Sequence, residues 1–100
     1  MTIDIDAIHK ALANPIRREI LARLKEPHLH FADQELPLDH GVCAGKFDTF
    51  CGLSQSTVSA HLAALQRAGL VTSKKVGQWV FFKRNETVIH AFLEHMKADL

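Results

Sequence analysis

The sequence has no uninterrupted apolar segment of the roughly 20 residues that a membrane-spanning helix needs. Its start, Met-Thr-Ile-Asp-Ile-Asp, is acidic where a secretory signal is basic. We therefore expect a cytoplasmic protein that does not bind membranes. One hundred residues, 47% of them hydrophobic, with a formal net charge of +1, fit a single globular domain over residues 1–100.

Residues with special chemistry are also scarce. The chain has two cysteines, and a standing structural disulfide is not expected in a reducing compartment. Each cysteine must therefore be a core residue, a ligand or a redox group. The serines Ser54, Ser56 and Ser59 have no recognisable acid partner, and no nucleophile and base form a motif. We expect no enzymatic activity and no cofactor, apart from the metal or metalloid considered below.

Acidic residues are absent from Thr49 to Asn85, while the same segment carries Arg67, Lys74, Lys75, Lys83 and Arg84. The remainder of the chain has seven basic and eleven acidic residues, so +5 in one segment faces −4 elsewhere. Phosphate attraction acts locally, because distant charges are screened within about 8 Å. This segregation predicts a surface that faces nucleic acid.

The acid-free segment begins with an apparent recognition helix within residues 52–70. Gly52 permits a tight turn, Ser54 can cap the helix and Gly69 can end it. Apolar residues at helical spacing give one narrow seam to bury, and the opposite side is small and polar. An ordinary amphipathic surface helix would share this pattern. The seam consists of Val58, Leu62 and Leu65, and the opposite side of Ser56, Ser59, Ala60, Ala63 and Arg67.

Two β-rich runs follow, 71–75 and 79–84, and glycine between them predicts a hairpin.

Earlier in the chain, Asn14-Pro15 marks the boundary between two helices, 3–13 and 15–25, since Asn caps and Pro starts a helix. Further helices are predicted over 44–51 and, after the cap Asn85, over 86–98. Residues 28–40 have no clear period and are predicted as a loop, with a short strand near 29–31.

Three blocks in this order resemble the ArsR family of bacterial winged-helix repressors: Leu12-Ala-Asn-Pro-Ile-Arg-Arg-Glu-Ile-Leu, Leu53-Ser-Gln-Ser-Thr-Val-Ser-Ala-His-Leu, and Leu65-Gln-Arg-Ala-Gly-Leu-Val running into Gly77-Gln. The resemblance implies a mainly α fold of five helices with a two-stranded wing. Its helix-turn-helix would span 44–68 and its wing 70–84. The implied function is a sequence-specific double-stranded DNA-binding repressor released by an effector. A metal-sensing repressor and a protein-protein adaptor are the alternatives.

For DNA, the start of the recognition helix is favoured because its free N–H groups attract phosphate and it meets base edges first. Gln55 is the best single base reader, since its amide can pair with adenine. Ser59 and His61 resemble further groove contacts of the family, although a neutral His61 beside the core is an equal alternative. The predicted contacts are Ser54, Gln55, Ser56, Thr57, Ser59, His61, Arg67, Lys74, Lys75, Gln78, Lys83 and Arg84.

The last helix has a broader apolar stripe than a small monomer can bury, which favours pairing with another chain. The resemblance implies a symmetric homodimer built from the first and last helices, 1–13 and 86–98, which would let two recognition helices read half-sites of a pseudo-palindromic operator about 34 Å apart. The predicted interface residues are Ile5, Ile8, Leu12, Ile89, Phe92, Leu93 and Met96.

The effector site departs from the family pattern. Many ArsR proteins bind arsenic, lead or cadmium through Cys-x-Cys at the start of the helix-turn-helix, whereas Cys43-Ala44-Gly45 keeps only the first cysteine. A mixed metal site with His40 and Cys43 can be drawn, and the alternative is oxidation of the Cys43 thiol or its disulfide to the partner chain. A redox pair with Cys51 is disfavoured, because eight helical residues would separate the two by about 12 Å. Cys51 stands where the family has an apolar residue. The family's other metal site, on the last helix, is rejected because Val88 and Ala98 occupy its ligand positions.

Overall fold

The computed structural model describes residues 2–100, and within them the chain forms six α-helices, one 3-10 turn and three short strands. Within the same residues, no helix is long and apolar enough to cross a membrane. In chain order the elements are α1 Ile5–Leu12, α2 Pro15–Lys25, α3 Pro27–His30, the 3-10 turn Leu38–His40, β1 Val42–Cys43, α4 Gly45–Cys51, α5 Gln55–Arg67, β2 Val71–Val76, β3 Trp79–Arg84 and α6 Glu86–Asp99.

Polar caps set where the longer helices begin. The Asn14 side chain accepts hydrogen bonds from the backbone N–H groups of Ile16 and Arg17, at 2.8 and 3.2 Å, and Pro15 occupies the first helical position. The predicted first helix, 3–13, begins instead at Ile5, because the Asp4 carboxylate accepts from Ala7 N–H at 3.0 Å and caps α1 there. Capping residues in the sequence therefore define these boundaries better than apolar spacing does.

The predicted strand at 29–31 is wrong. Residues 27–30 form one turn of α-helix, α3, with Pro27 at its first position and the N–H groups of Leu29 and His30 donating to the Glu26 carbonyl. This turn raises the helix count from the predicted five to six. Proline at a helix start needs no N–H partner, so Pro27 ends α2 and begins α3.

The predicted two-stranded wing is part of a three-stranded antiparallel sheet of order β1-β3-β2. β1 was not predicted, because a two-residue strand has no period to detect. It pairs Val42 with Phe82 and Cys43 with Phe81. Gly77 turns the hairpin at φ +60°, a conformation that glycine adopts without strain. The sheet thus joins the wing directly to the segment that precedes α4.

The core lies between the helices and the inner face of the sheet. Phe47 of α4 is fully buried and lies with its ring centroid 5.5 Å from Phe31 and 6.2 Å from both Phe50 and Phe82. The α5 seam joins this core from the other side. Val58, Leu62 and Leu65 are 1%, 2% and 0% exposed, which confirms the predicted buried face of the recognition helix.

A substitution at Gly41 tests how closely the chain before β1 approaches β3. Its φ is +113°, and an added Cβ would lie 2.6 Å from the Phe82 carbonyl oxygen and 2.9 Å from Lys83 Cγ. We expect Gly41→Ala to lower the free energy of unfolding by about 1–3 kcal/mol in urea denaturation. Gly45→Ala is the matched control, because nothing lies within 4 Å of its added methyl. Equal stability of the two variants would contradict the close packing at Gly41.

Candidate nucleic-acid interface

The N-terminal end of α5 is a compact group of exposed hydroxyls. Ser54 caps the helix by accepting from Thr57 N–H at 3.3 Å, and its hydroxyl also lies 2.8 Å from the Thr57 hydroxyl and 3.2 Å from that of Ser56. Within residues 2–100 no hydrogen bond to the Gln55 side chain is formed, and the residue is exposed. The first turn is therefore ordered by its cap while the Gln55 amide stays available to an outside partner.

The burial of the α5 seam determines what faces outward. Because Val58 is buried one turn after the cap, Ser56, Ser59 and Ala60 lie on the exposed side of the helix. These side chains are short and uncharged, so a phosphate backbone or base edges can approach the helix closely. Arg67, in the last turn, is exposed as well. The predicted base-reading and phosphate-contacting residues of α5 thus share one accessible surface, with His61 at its margin.

His61 is half-buried and bonded within the chain. Its Nδ1 accepts a hydrogen bond from Arg17 Nε of α2 at 3.1 Å. Burial, together with the positive charge of Arg17, lowers the pKa of His61 below its ordinary value near 6.5. The imidazole is therefore neutral at pH 7 and carries its proton on Nε2. This arrangement matches the alternative role for His61, a neutral side chain beside the core whose Nδ1 is hydrogen-bonded within the chain. Only its Nε2–H is left to donate a hydrogen bond to DNA.

The wing carries exposed cations and is attached to α5 by a contact that the sequence did not indicate. Gln66 Nε2, at the end of α5, donates to the Ser73 hydroxyl of β2 at 2.9 Å. Lys74 Nζ lies 3.4 Å from His40 Nδ1 across the sheet. The Gln66–Ser73 bond orients the wing relative to α5. The predicted DNA contacts of the wing that are exposed are Lys74, Lys75, Gln78 and Lys83.

Arg84, predicted to contact DNA, is placed differently. Its side chain is only 15% exposed, it forms two hydrogen bonds to the Glu86 carboxylate at 3.0 and 3.1 Å, and it donates to the Leu21 carbonyl at 3.4 Å. These bonds hold the end of β3 against α2 and the start of α6. Because three of its five N–H donors are bonded within the chain, we assign Arg84 to fixing the wing to the helices, and its predicted DNA contact stays a prediction.

The outer helices present an apolar face that Leu93 dominates. Leu93 is 57% exposed, and four other predicted interface residues of α1 and α6 are half-buried: Ile5, Leu12, Ile89 and Met96. Two others lie inside the single chain. Ile8 is 0% exposed and Phe92 8%, the latter with its ring 5.5 Å from His9. The prediction for Ile8 is corrected, because a residue without accessible surface has none to bury against a partner.

The two cysteines lie in different environments, and both are free thiols. Cys43 pairs with Phe81 on the sheet and lines a surface depression of about 380 Å³ together with Gln34, Thr49 and Trp79. Its backbone N–H donates to Gln34 Oε1 at 2.9 Å. Cys51 ends α4 and packs against the core, where burial and the Asp48 carboxylate raise its pKa. Both cysteines are half-buried; Cys43 lines an open depression, whereas Cys51 has the environment of a packing residue.

The geometry does not support the candidate metal site formed by His40 and Cys43. Across residues 2–100, no three His, Cys, Asp or Glu side chains converge in a way that could hold a metal ion. The predicted partner His40 packs its ring 5.3 Å from the Phe81 ring and lies beside Lys74, a cation that disfavours a bound metal. The residues near Cys43 therefore offer a thiol in a depression and no ligand set.

Comparisons with known proteins agree with this architecture. Residues 51–73 match the family model described as bacterial regulatory protein, arsR family. The chain is 36% identical over 95 residues to the HTH-type transcriptional regulator YbzH of Bacillus subtilis, covering 93% of this chain and 95% of that protein. It is 36% identical over 85 residues to the transcriptional activator HlyU of Vibrio cholerae, covering 85% of this chain and 67% of HlyU.

A solved structure extends the likeness to the whole fold. The homodimeric winged helix-turn-helix DNA-binding domain of Mb0332 from Mycobacterium bovis superposes with a TM-score of 0.65 at 28% identity, covering 95% of this chain and 78% of that one. The matched family segment, 51–73, contains all of α5 and the start of β2, the part of the chain in which the exposed polar end lies.

Substituting Gln55 and Lys75 separates base reading from phosphate attraction. We expect Gln55→Ala to weaken specific DNA binding by about 1–3 kcal/mol and to relax one base position. Lys75→Ala should weaken binding evenly across sequences and reduce the salt dependence. Both are measured by fluorescence anisotropy on a panel of single-base operator variants at several salt concentrations. Equal loss of specificity in both variants would contradict the assignment.

Proposed function

This chain belongs to the ArsR family of winged helix-turn-helix transcriptional regulators, and we propose that it is a homodimeric repressor of a pseudo-palindromic operator, controlled at Cys43. As a member of this family it is a DNA-binding regulator and not an enzyme. The observation that carries the proposal is the N-terminal end of α5, where Gln55 is exposed and makes no internal hydrogen bond beside the ordered Ser54 cap. A rigid helix end with an unoccupied amide is suited to read bases in a major groove.

The exposed face of the outer helices supports the dimer. Leu93 stands 57% exposed among half-buried apolar residues of α1 and α6. Leaving this surface in water is unfavourable by roughly 25 cal/mol per Å² of apolar area. A two-fold axis through this face buries the same patch on both chains, as isologous dimers do. It would also present two α5 ends to successive major grooves on one side of the duplex.

A charge placed on this face tests the dimer. We expect Leu93→Glu to give monomers in sedimentation velocity and to abolish high-affinity operator binding, because a buried unpaired carboxylate opposes the interface. Leu29→Glu is the matched control, since Leu29 is 69% exposed on α3, away from the outer helices. If Leu93→Glu remains dimeric, or if both variants dissociate alike, the proposed interface is wrong.

Repression follows from occupancy of the promoter. A dimer that covers two half-sites excludes polymerase from the same DNA, so release from the operator raises transcription. A promoter fused to a reporter tests the sign of regulation directly. Deleting the gene for the regulator should raise reporter output, and a fall in output would assign the chain as an activator.

Cys43 is the point at which an effector would act. Its strand pairs with β3 of the wing, and the Ala44 N–H that follows it donates to the Val80 carbonyl at 3.1 Å. Enlargement of the thiol, by peroxide oxidation to sulfenic acid or by a disulfide to the partner chain, would strain this pairing next to the start of α4. The strain would alter the position of the wing relative to α5 and lower DNA affinity.

The thiol hypothesis is tested with Cys43→Ser. Operator binding by the wild type and the variant is measured with hydrogen peroxide, arsenite, zinc or no addition. We expect peroxide to lower wild-type affinity at least tenfold, reductant to restore it, and Cys43→Ser to bind DNA unchanged in every condition. Cys51→Ser serves as the second-cysteine control and should respond as the wild type does. A Cys43→Ser protein that still responds to peroxide would exclude control at this thiol.

A further inference from the structure

A cationic depression lies between three helices, on a part of the surface that the proposed regulation does not use. It has a volume of about 270 Å³ and is lined by residues of α1, α2 and α5. Its floor is made of alanines and its charged side chains are all basic, with no carboxylate among the lining residues. The floor consists of Ala7, Ala11, Ala64 and Ala68, and the basic residues are Lys10, Arg17 and Arg67.

Among residues 2–100, these three cations have no carboxylate partner. The ion pairs formed within residues 2–100 are Arg23–Glu19, Lys46–Asp33 and Arg84–Glu86, and none involves the depression. Three like charges brought together from three helices repel one another, and the repulsion is greater where solvent is partly excluded. An anion bound in the depression would reduce the repulsion between the three cations.

Arg17 is the member whose surroundings are most restricted. It is half-buried, and its Nε donates to His61 Nδ1, a neutral acceptor that removes none of the guanidinium charge. That bond uses one of five N–H donors, and it holds the planar fork in a fixed orientation. Guanidinium forks bind oxyanions in a bidentate manner, so a fixed arginine with free terminal N–H groups is suited to phosphate.

We propose that Lys10, Arg17 and Arg67 form a binding site for a phosphate-type oxyanion. Two sources share this chemistry, a phosphodiester of the operator and free inorganic phosphate. α5 has 13 residues and is about 20 Å long, whereas a major groove is about 12 Å wide. If the N-terminal end of α5 enters the groove, the helix is too long to fit within the groove width. Its C-terminal end therefore lies outside the groove, close to the backbone phosphates. Only the phosphodiester source rests on the proposed function.

The first experiment needs no DNA. The ¹⁵N–¹H spectrum of the wild type is titrated with inorganic phosphate against sodium chloride at equal ionic strength. A site at the depression predicts saturable shifts of the Ala64, Arg67 and Ala68 amides, which are lost in Lys10→Ala and Arg67→Gln. Lys25→Ala removes an equal charge two turns beyond Arg17 on α2 and should titrate as the wild type does.

The second experiment measures operator affinity between 50 and 200 mM salt for the same variants. If a phosphodiester occupies the site, the slope of log K against log salt falls in magnitude by about 0.9 for each contact removed, and stays unchanged in Lys25→Ala. Circular dichroism confirms that each variant is folded. Saturable phosphate shifts or a reduced slope support the site and identify its source. Absence of both overturns it, whereas failure of the wild type to bind any DNA overturns the proposed function and leaves the phosphate result decisive for the site.

Discussion

The burial of one apolar seam on α5 is the constraint on which the interface depends. Val58, Leu62 and Leu65 are each at most 2% exposed, and burying such side chains contributes roughly 1.5–3 kcal/mol apiece. Rotating the helix about its axis would expose these residues to water, so the rotation is closely determined. The side opposite the seam, with Ser56 and Ser59, is therefore held outward. Base recognition requires such a fixed presentation, because hydrogen bonds to base edges depend on geometry.

The same rigidity extends from α5 to the wing. Gln66 is bonded to Ser73 of β2, and Arg84 at the end of β3 is bonded to Glu86 and to the Leu21 carbonyl. The wing is thus attached at both of its bases. β1 adds a third attachment through its pairing with β3, and Cys43 lies on that strand. A chemical change at Cys43 can reach the exposed polar surface of α5 and the wing through this sheet without a hinge or a domain movement.

Most of the fold could be predicted from local signals in the sequence. Asn14-Pro15, Ser54 and Asn85 are capping residues whose side chains bond the nearest N–H groups, so they define helix starts without tertiary information. The α5 seam and the hairpin likewise follow from spacing and a turn glycine. Each of these features depends on residues only a few positions apart.

The features that prediction missed depend on contacts distant in sequence. β1 exists because two residues meet Phe81 and Phe82, about 40 positions away, and no two-residue pattern reveals that. Arg17 meets His61 at a separation of 44 residues and Arg84 meets Leu21 at 63. A charged side chain that is expected to be exposed because of its polarity can instead be bonded to a residue distant in sequence, as Arg84 is to the Leu21 carbonyl. The prediction that Ile8 lies in the dimer interface was corrected for a related reason. Helical spacing shows which face of a helix is apolar, but not which neighbouring element covers that face.

The central claim is that two outward-held α5 helices are spaced by one turn of DNA in a two-fold dimer. The most direct test is pulsed electron paramagnetic resonance on a nitroxide attached at Ala60→Cys, an exposed site on α5, with Cys43 and Cys51 replaced by serine and alanine. The distance is measured without DNA, because Ala60 lies on the face of α5 proposed to enter the groove. The account predicts an intermolecular distance distribution consistent with helices about 34 Å apart. Absence of dipolar coupling at working concentration, or a distance that cannot match adjacent major grooves, would contradict it.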